Sequence, residues 1–340
     1  MEKLFIISNE SIFNHQGNFF CDNIELKSTP EGLKNKFEIN IIGRESKKIR
    51  SHKINLKNIK TYSNIITYIF GIFNSFREKK SKYLIITISP FTFLACIAIK
   101  IFKKKPIVYL ISDGYGQYKA ILGIFGPLLY HFMFFTVSKI STLISCQEYI
   151  LRNVKGETVA PSQITSPWLI GQTEAQLDKI KLLYVGRVRK EKGVYSLLDI
   201  IKDSKINLSL SIVGAEKNPF NQIVQNNVRV YGIESNEQNL IKFYDDSNIF
   251  VLPSYTEGHP MVLLEALSRF RPVIIFKDIK HVIGNKNGIF IADTNSVNFF
   301  ETIHHIIENY KNIQQEMRKN KLPTKDEFLK KFSEIISKPN

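Results

Sequence analysis

The 340-residue chain is long enough for two medium domains, and a hydrophobic content of 44% is sufficient for ordinary cores. It has 47 Lys and Arg against 31 Asp and Glu, and the net charge of +16 attracts nucleotides, nucleic acid or an anionic membrane without choosing between them. The three cysteines show no disulfide or metal spacing, and the first apolar run is too short for a signal peptide. We therefore expect a cytoplasmic protein.

In the first half of the chain, short apolar runs alternate with helical patterns, which predicts a parallel sheet with helical crossovers. The predicted strands are 4–7, 37–42, 83–88, 107–111 and 141–145, and the predicted helices are 62–76 and 91–102. The first strand precedes a loop with Gly17, as at the start of a Rossmann-like domain. Asp113 follows the strand 107–111 at the edge where ligands bind, and it either orients an acceptor or caps a helix.

The stretch 121–137 is apolar over about 17 residues, which approaches the length of a membrane span. Gly126 and Pro127 interrupt it, so the sequence favours a core helix of the first domain. The alternative is an interfacial patch that meets anionic lipid through neighbouring lysines. These lysines are Lys100, Lys103, Lys104, Lys105, Lys119 and Lys139. The following segment, 162–179, has no strong periodicity and is predicted to be a linker whose Trp168 packs between domains.

The second half opens with a strand, 182–185, that leads into Gly186, Arg187 and a basic loop. The loop ends at Lys192 and Gly193, and a helix follows from Val194. A strand, a glycine-bearing basic loop and a helix form a phosphate-binding arrangement, in which Arg supplies bidentate bonds and Lys a mobile charge. Strands 208–213 and 228–230 come next, and Ile233 lies in the turn after the second. Asp245 and Asp246 look like helix-end residues, so we infer no obligatory metal.

A strand at 249–252, a loop and a helix beginning at Pro260 come next. The exposed N–H groups and the dipole of this helix favour an anion. Glu257 in the loop and Glu265 in the helix are too far apart to chelate one ion, but they can accept hydrogen bonds from two ends of a polyhydroxylated ligand. The alternative is one ordinary loop acid and one solvated helix acid.

The stretch PSYTEGHPMVLLEAL, residues 253–267, resembles the signature of retaining glycosyltransferases of family 4, with Glu257 and Glu265 in its two acidic positions. His259 stands where that family often has Phe. The basic loop from Gly186 to Gly193 resembles the family's diphosphate motif. This resemblance implies an α/β GT-B fold, with two Rossmann-like domains facing each other across a cleft. The expected division is a first domain 1–161, a linker 162–179, a second domain 180–320, and a C-terminal helix 321–340 packing back towards the first domain.

The resemblance also implies roles for individual residues. Glu257, Arg187 and Lys192 are expected to be catalytic, with Glu257 beside the donor sugar and the two cations on the diphosphate. Glu265 is expected to bind the ribose. The remaining donor-binding candidates are Gly258, His259, Pro260, Met261, Gly186, Gly17 and Ile233. Asp113 is the candidate on the acceptor side. No cofactor is implied, and Ser112 stands where the family often has a histidine.

The expected reaction is retaining transfer of a sugar from a nucleotide-diphosphate sugar, with UDP favoured over GDP. The expected acceptor is a growing bacterial surface glycan or a lipid-linked glycan, such as lipopolysaccharide or capsule. The charge further suggests peripheral contact with the inner face of the cytoplasmic membrane. One alternative is a GT-B nucleotide-sugar epimerase or phosphorylase, and another is a degenerate scaffold. A third is a basic nucleic-acid-binding protein, but no recognisable binding module is present, so we expect no nucleic acid partner.

Overall fold

The computed structural model describes residues 1–78, 80–202, 204, 206–215 and 226–338. The chain divides into two compact units, which are described separately. The first comprises Met1–Ala160 with Asp326–Asn340, and the second comprises Pro161–Lys325.

Within the described residues, the elements are numbered in chain order. The strands are β1 (Glu2–His15), β2 (Asn18–Cys21), β3 (Phe37–Ser46), β4 (His52–Ile54), β5 (Asn58–Tyr62), β6 (Ser81–Ile86), β7 (Pro106–Leu110), β8 (Thr142–Ser145), β9 (Glu157–Thr158), β10 (Ile180–Val185), β11 (Leu208–Val213), β12 (Val228–Tyr231), β13 (Ile249–Leu252), β14 (Val273–Phe276) and β15 (Ile289–Ala292). The α-helices are α1 (Ile24–Leu33), α2 (Ile65–Ser75), α3 (Pro90–Ile101), α4 (Gly114–Leu122), α5 (Gly126–Ile140), α6 (Ser166–Leu169), α7 (Val194–Lys202), α8 (Glu237–Asp245), α9 (Met261–Ser268), α10 (Ser296–Glu308), α11 (Tyr310–Met317) and α12 (Lys325–Ser337).

The first unit is built on a parallel sheet with the order β5-β3-β1-β6-β7-β8-β9. The central strands contain continuous buried apolar runs, at residues 4–7, 83–86 and 107–110, as expected when helices cover both faces of a parallel sheet. Helix α12 returns from the end of the chain to this core, where Phe328, Phe332 and Ile336 are buried. The ring of Phe332 lies 4.7 Å from that of Tyr109 on β7.

Strand β1 is much longer than the predicted 4–7. A bulge between Ile7 and Ser11 absorbs the polar residues that made the strand look finished, and pairing with β3 then resumes. The chain reverses at Gln16 and Gly17, whose φ values of 49° and 79° suit a two-residue hairpin turn, and β2 pairs antiparallel with the end of β1. Gly17 therefore lies in a loop directly after the first strand, as predicted, but this loop is the turn of a β-hairpin.

The apolar stretch predicted as a core helix is a helical hairpin. Helices α4 and α5 are joined by a 3₁₀-helix at Gly123–Phe125. They pack so closely that a Cβ on Gly126 would lie 1.9 Å from the carbonyl oxygen of Tyr118. One face of α5 is buried, through Tyr130, Met133 and Phe134 among others, while its other face is exposed. The core prediction is therefore only half right, because a single face of the stretch joins the core.

Among the described residues, Gly114–Ile140 is the one helical stretch long and apolar enough to cross a membrane, judged by length and composition. Its most apolar window is 28% buried. Because the stretch folds back on itself at Gly123–Phe125, it does not form one straight helix of that length.

The second unit contains a parallel sheet with the order β12-β11-β10-β13-β14-β15. This is the order of a Rossmann fold, in which successive crossovers run first to one side and then to the other. The direction changes between β10 and β13. Ligands of such sheets bind outside the carboxyl ends of the two strands that flank this switch point.

The segment expected as a linker is part of the second unit. Trp168 on α6 is buried in the core of that unit, and its Nε1 donates to Glu237 at 3.1 Å. The buried Arg269 side chain donates to the carbonyl oxygens of Trp168, Ile170 and Gly171 and pairs with Asp245 at 2.7 Å. The sequence gives no periodic signal here because the segment is held by hydrogen bonds to a buried cation rather than by a regular apolar face.

Candidate functional site

The loops that follow β10 and β13 meet at the switch point of the second unit. The first loop begins at Gly186, and the second runs from Pro253 to Pro260. Gly193 has a φ of 66°, and a Cβ there would lie 1.8 Å from the carbonyl oxygen of Pro253. Only glycine allows this approach, so the position ties the basic loop to the acidic loop.

The basic loop is fixed at both ends. The buried Tyr184 hydroxyl donates to the carbonyl oxygen of Arg187 at 2.8 Å, which shapes the chain just after β10. The backbone N–H of Tyr255 donates to the carbonyl oxygen of Glu191 at 3.0 Å, a second link between the two loops. The Arg187 side chain is exposed, whereas Lys192 is partly buried in the 3₁₀-helix Lys190–Lys192.

Lys192 and Glu257 form the central contact of the site. Lys192 Nζ lies 2.7 Å from Glu257 Oε1, and the Ser254 hydroxyl donates to the same oxygen at 2.7 Å. His281 Nε2 lies 2.7 Å from the backbone oxygen of Glu257 and is the donor, because a carbonyl only accepts. These contacts hold the Glu257 carboxylate in a defined orientation beside a cation.

The charges of Arg187 and Glu257 both influence the pKa of Tyr184. Burial raises the pKa of Tyr184, the charge of Glu257 raises it further, and the charge of Arg187 opposes this shift. The two charged groups are therefore both within electrostatic range of one hydroxyl at the switch point. The structure thus pairs Lys192 with Glu257, which lie 65 residues apart in the sequence, and Arg187 belongs to the same basic loop as Lys192.

Helix α9 begins directly after the acidic loop. Pro260 is its N-cap and Met261 its first residue, so the prediction that Pro260 is the first helical residue is shifted by one position. The N-terminus has no side-chain cap among the described residues. Backbone N–H groups of the first turn, near Gly258 and Met261, therefore carry the partial positive charge of the helix end.

Glu265 lies in the second turn of α9 and is buried, with 6% of its surface exposed. Burial raises its pKa to about 7, the charge of Glu237 adds to this shift, and a hydrogen bond from Tyr244 opposes it. That hydroxyl donates to Glu265 Oε2 at 2.8 Å. The alternative prediction, that Glu265 is a solvated acid on the helix surface, is wrong because the side chain is buried. The carboxylate is held in a dry site whose protonation changes near neutral pH.

His259 is the position that departs from the family signature. Its Nε2 lies 2.9 Å from the carbonyl oxygen of Pro161, so this nitrogen donates to the chain at the start of the second unit. Burial lowers the pKa of His259 to about 4, and the positive charge of Lys286 contributes, while the bond to Pro161 opposes the shift. The imidazole is therefore neutral at physiological pH.

Three further residues that the sequence predicted to contact donor or acceptor lie outside the basic and acidic loops. Ile233 follows β12 in the second unit and is exposed, beside a Gly232 that has open space around its Cα. Gly17 and Asp113 belong to the first unit. Asp113 accepts from the N–H groups of Tyr115 and Gly116 as the N-cap of α4, as the capping alternative predicts, and it pairs with Arg152 at 3.5 Å.

No group of three His, Cys, Asp or Glu side chains able to hold a metal occurs among the described residues. Asp245 instead accepts two hydrogen bonds from Arg269, and Asp246 is the C-cap of α8, in line with the helix-end interpretation.

The sequence analysis missed the residues that support the charged set. Ser254 and His281 contact Glu257, and Tyr244 contacts Glu265. Ser254 lies within the signature stretch, so its proximity in sequence was a usable signal. His281 and Tyr244 lie more than 20 residues from their partners and carry no motif of their own.

Comparison with known proteins agrees with this architecture. The family model for glycosyl transferases group 1 matches residues 169–322. An uncharacterized glycosyltransferase of Methanocaldococcus jannaschii is 32% identical over 44% of this chain and 43% of its own length. The capsular polysaccharide biosynthesis glycosyltransferase CapM of Staphylococcus aureus is 27% identical over 39% of this chain and 38% of its own length. The chain thus aligns with less than half the length of these curated relatives.

Among solved structures, Anabaena HepE in complex with UDP and glucose superimposes with a TM-score of 0.70 at 10% identity and full coverage of both chains. At this identity the likeness concerns the fold alone. The match over residues 169–322 coincides with the unit that contains the Lys192–Glu257 pair. The chain has the GT-B fold, with two Rossmann-like units, and residues 169–322 of its second unit match the glycosyl transferases group 1 model.

Proposed function

We propose that this protein is a retaining glycosyltransferase that takes a sugar from a nucleotide-diphosphate donor held by its second unit. The observation that carries the proposal is the 2.7 Å contact between Lys192 and Glu257 at the switch point, beside Arg187 and the start of α9. A cationic group for a diphosphate and a carboxylate for a sugar are adjacent there. The match of residues 169–322 to the model for glycosyl transferases group 1 supports the assignment.

In this proposal the donor diphosphate contacts Arg187, Lys192 and the N–H groups at the start of α9. The bond between the anomeric carbon and the phosphate oxygen breaks, and negative charge builds up on the leaving nucleotide diphosphate. Fixed cations and N–H dipoles stabilise this charge without reorganising during the reaction. The acceptor oxygen bonds to the anomeric carbon on the same face, and its proton passes to the leaving phosphate. Glu257 lies beside the donor sugar and stabilises positive charge at the anomeric carbon.

The nucleotide in this proposal is UDP, in preference to GDP. Support comes from the structural similarity to HepE, whose structure contains UDP and glucose. The ribose hydroxyls donate to Glu265, and the base lies beside the turn that contains Ile233. Ionised Glu265 accepts hydrogen bonds from both hydroxyls, so the donor binds best when this carboxylate is charged.

The acceptor in this proposal is a growing surface glycan or a lipid-linked glycan, contacted on its side by Asp113. Relatives named for capsular polysaccharide biosynthesis support this class. Because such acceptors are assembled on lipid carriers, we place the protein at the inner face of the cytoplasmic membrane. The net charge of +16 favours an anionic lipid surface.

The first test is a thermal-shift and calorimetric panel of UDP, GDP, CMP and ADP on the parent and on Arg187→Ala. Stabilisation of the parent by one nucleotide diphosphate, and its loss in the variant, is the expected result, because a ligand that binds the folded state raises the melting temperature. Arg189→Ala, an exposed arginine of the same loop, is the matched control. If none of the nucleotides stabilises the parent, the proposal fails for these donors.

A further inference from the structure

We propose that the first unit binds an anionic lipid bilayer through one apolar surface. This surface consists of the exposed hydrophobic side chains of α2, α3, α4, α5 and the 3₁₀-helix Gly123–Phe125. Of the 25 large hydrophobic residues that are exposed in the described parts of the chain, 14 belong to these helices and their ends. This inference rests on the proposed function for its biological reason, a lipid-linked acceptor, but the binding itself requires no sugar.

The α4–α5 hairpin forms the tip of the surface. Ile121, Ile124, Phe125 and Leu128 are each exposed by 70% or more. Contiguous exposure of this kind is unusual for a soluble monomer and marks an interaction site. At the turn, the N–H of Gly126 donates to the carbonyl oxygen of Gly123, so this backbone group is satisfied inside the tip. Satisfied backbone groups lower the free-energy cost of entering a lipid headgroup layer.

The surface is continuous from the tip to the neighbouring helices. The ring of Phe132 on α5 lies 5.8 Å from that of Phe93 on α3. At the other end of α3, the ring of Phe102 lies 5.3 Å from that of Phe73 on α2. The exposed side chains therefore form one face of three packed helices.

The charges around this surface indicate a lipid partner. The segments 65–75, 90–105 and 114–140 contain no Asp or Glu. Lys103, Lys105, Lys119 and Lys139 are exposed, and Lys139 Nζ lies 3.9 Å from the ring centre of Phe135. An apolar face rimmed by cations, with no acids, matches an anionic leaflet, in which apolar groups enter the acyl boundary and lysines remain at the headgroups.

The dimensions favour a position in the interface. Helix α5 has 15 residues, which corresponds to about 22 Å and falls short of the roughly 30 Å of a hydrocarbon core. Its inner face is occupied by the core of the first unit, through Tyr130 and Phe134. The hairpin can therefore enter only with its outer face, to a depth of about 5–10 Å.

The experiment is co-sedimentation of the full chain with vesicles of phosphatidylcholine, alone or with about 30% phosphatidylglycerol. The probe variant is Ile124→Asp with Phe125→Asp. The matched control is Ile49→Asp with Val297→Asp, two exposed apolar residues outside the surface. The parent and the control should sediment with the anionic vesicles, and the probe variant should bind them at least about tenfold more weakly. The triple variant Lys103→Gln, Lys105→Gln and Lys119→Gln should bind the anionic vesicles more weakly, and its binding should depend less on salt. The matched control, Lys311→Gln with Lys321→Gln, should behave like the parent.

A second measurement uses Phe125→Trp, which retains an apolar tip. Its fluorescence should shift to the blue with anionic vesicles and be quenched by brominated lipid, while the parent, whose single Trp168 is buried, should show neither change.

Absence of parent binding to anionic vesicles, or equal binding by the probe variant and the parent, overturns the proposal. A lipid-free dimer that dissociates in the probe variant also overturns it, because the surface would then cover a second copy of the chain. The UDP thermal shift of the probe variant should equal that of the parent, which separates failure of this inference from failure of the donor site.

Discussion

Lys192 and Glu257 hold each other at 2.7 Å, although each has a separate proposed role towards the donor. The positive charge of the amine compensates the negative charge of the carboxylate. In the proposed function a bound diphosphate competes for the same amine, so we expect the donor to shift Lys192 towards phosphate and to leave Glu257 facing the sugar. This coupling makes the energetics of the two residues non-additive.

Glu257→Gln should therefore have opposite effects on binding and on turnover. Without a charged partner, Lys192 is available to phosphate, so UDP should bind several-fold more tightly. Sugar transfer should fall by roughly a hundredfold or more, because the carboxylate beside the anomeric carbon is lost. Calorimetry with UDP and steady-state kinetics measure the two effects. Glu191→Gln, which alters an exposed acid of the neighbouring basic loop, is the control and should change neither quantity appreciably. Weaker UDP binding in Glu257→Gln would contradict the competition between carboxylate and diphosphate.

Arg187→Ala should reduce kcat more than it raises KM for the donor. In the proposed function the exposed guanidinium contacts the diphosphate in both the ground state and the transition state, but the charge on the leaving group is greatest in the transition state. A loss of about a hundredfold in kcat is expected from the removal of one cation. Arg187→Lys should recover part of it, since the charge remains while the bidentate geometry is lost. A rise in KM with kcat unchanged would show that Arg187 contributes only to ground-state binding.

Much of the second unit could be predicted from its sequence, because its strands are short apolar runs and its loops have motif chemistry. The basic loop, the helix from Val194 and the loop with Glu257 were all predicted near their observed positions. The buried state of Glu265 could not be predicted, since it depends on Tyr244, which comes from a separate helix. The ion pair of Lys192 with Glu257 also depends on two loops meeting at Gly193, a tertiary relationship without a local signal.

The first unit was harder to predict. Polar residues within β1 concealed a bulge, so a 14-residue strand looked like a short one. The apolar stretch from Ile121 gave the opposite error. Its hydrophobicity predicted burial, but hydrophobicity alone does not show whether the protein or another apolar phase covers a residue. Only the packing of α5, with one face on the core, shows that its outer face is uncovered.

The raised pKa of Glu265 predicts pH-dependent binding of the ribose. The carboxylate must be ionised to accept hydrogen bonds from both hydroxyls, and burial raises its pKa to about 7. Affinity for uridine should therefore increase by up to about tenfold per pH unit below 7 and level off above it. Uridine is the suitable ligand because it has no phosphate that titrates over this range. In Glu265→Gln the affinity should be low and independent of pH between about pH 5.5 and 8. The same pH dependence in both proteins would show that another group titrates.

His259 should make the protein sensitive to mild acid. Its pKa is about 4 in the folded chain against 6.5 for the free side chain, chiefly because of burial, so the unfolded chain binds a proton more readily. Above about pH 6.5 the histidine is neutral in both the folded and the unfolded chain, so it does not make stability depend on pH. As the pH decreases from 6.5 towards 4, only the unfolded chain gains the proton, and the free energy of unfolding falls. At pH 5 the decrease in the free energy of unfolding is about 2 kcal/mol. Denaturant unfolding of the parent and His259→Gln at pH 7 and pH 5 measures it. The variant should lose less stability between the two pH values, and His305→Gln, an exposed histidine on α10, should behave like the parent. Equal losses in all three proteins would place the acid-sensitive group elsewhere.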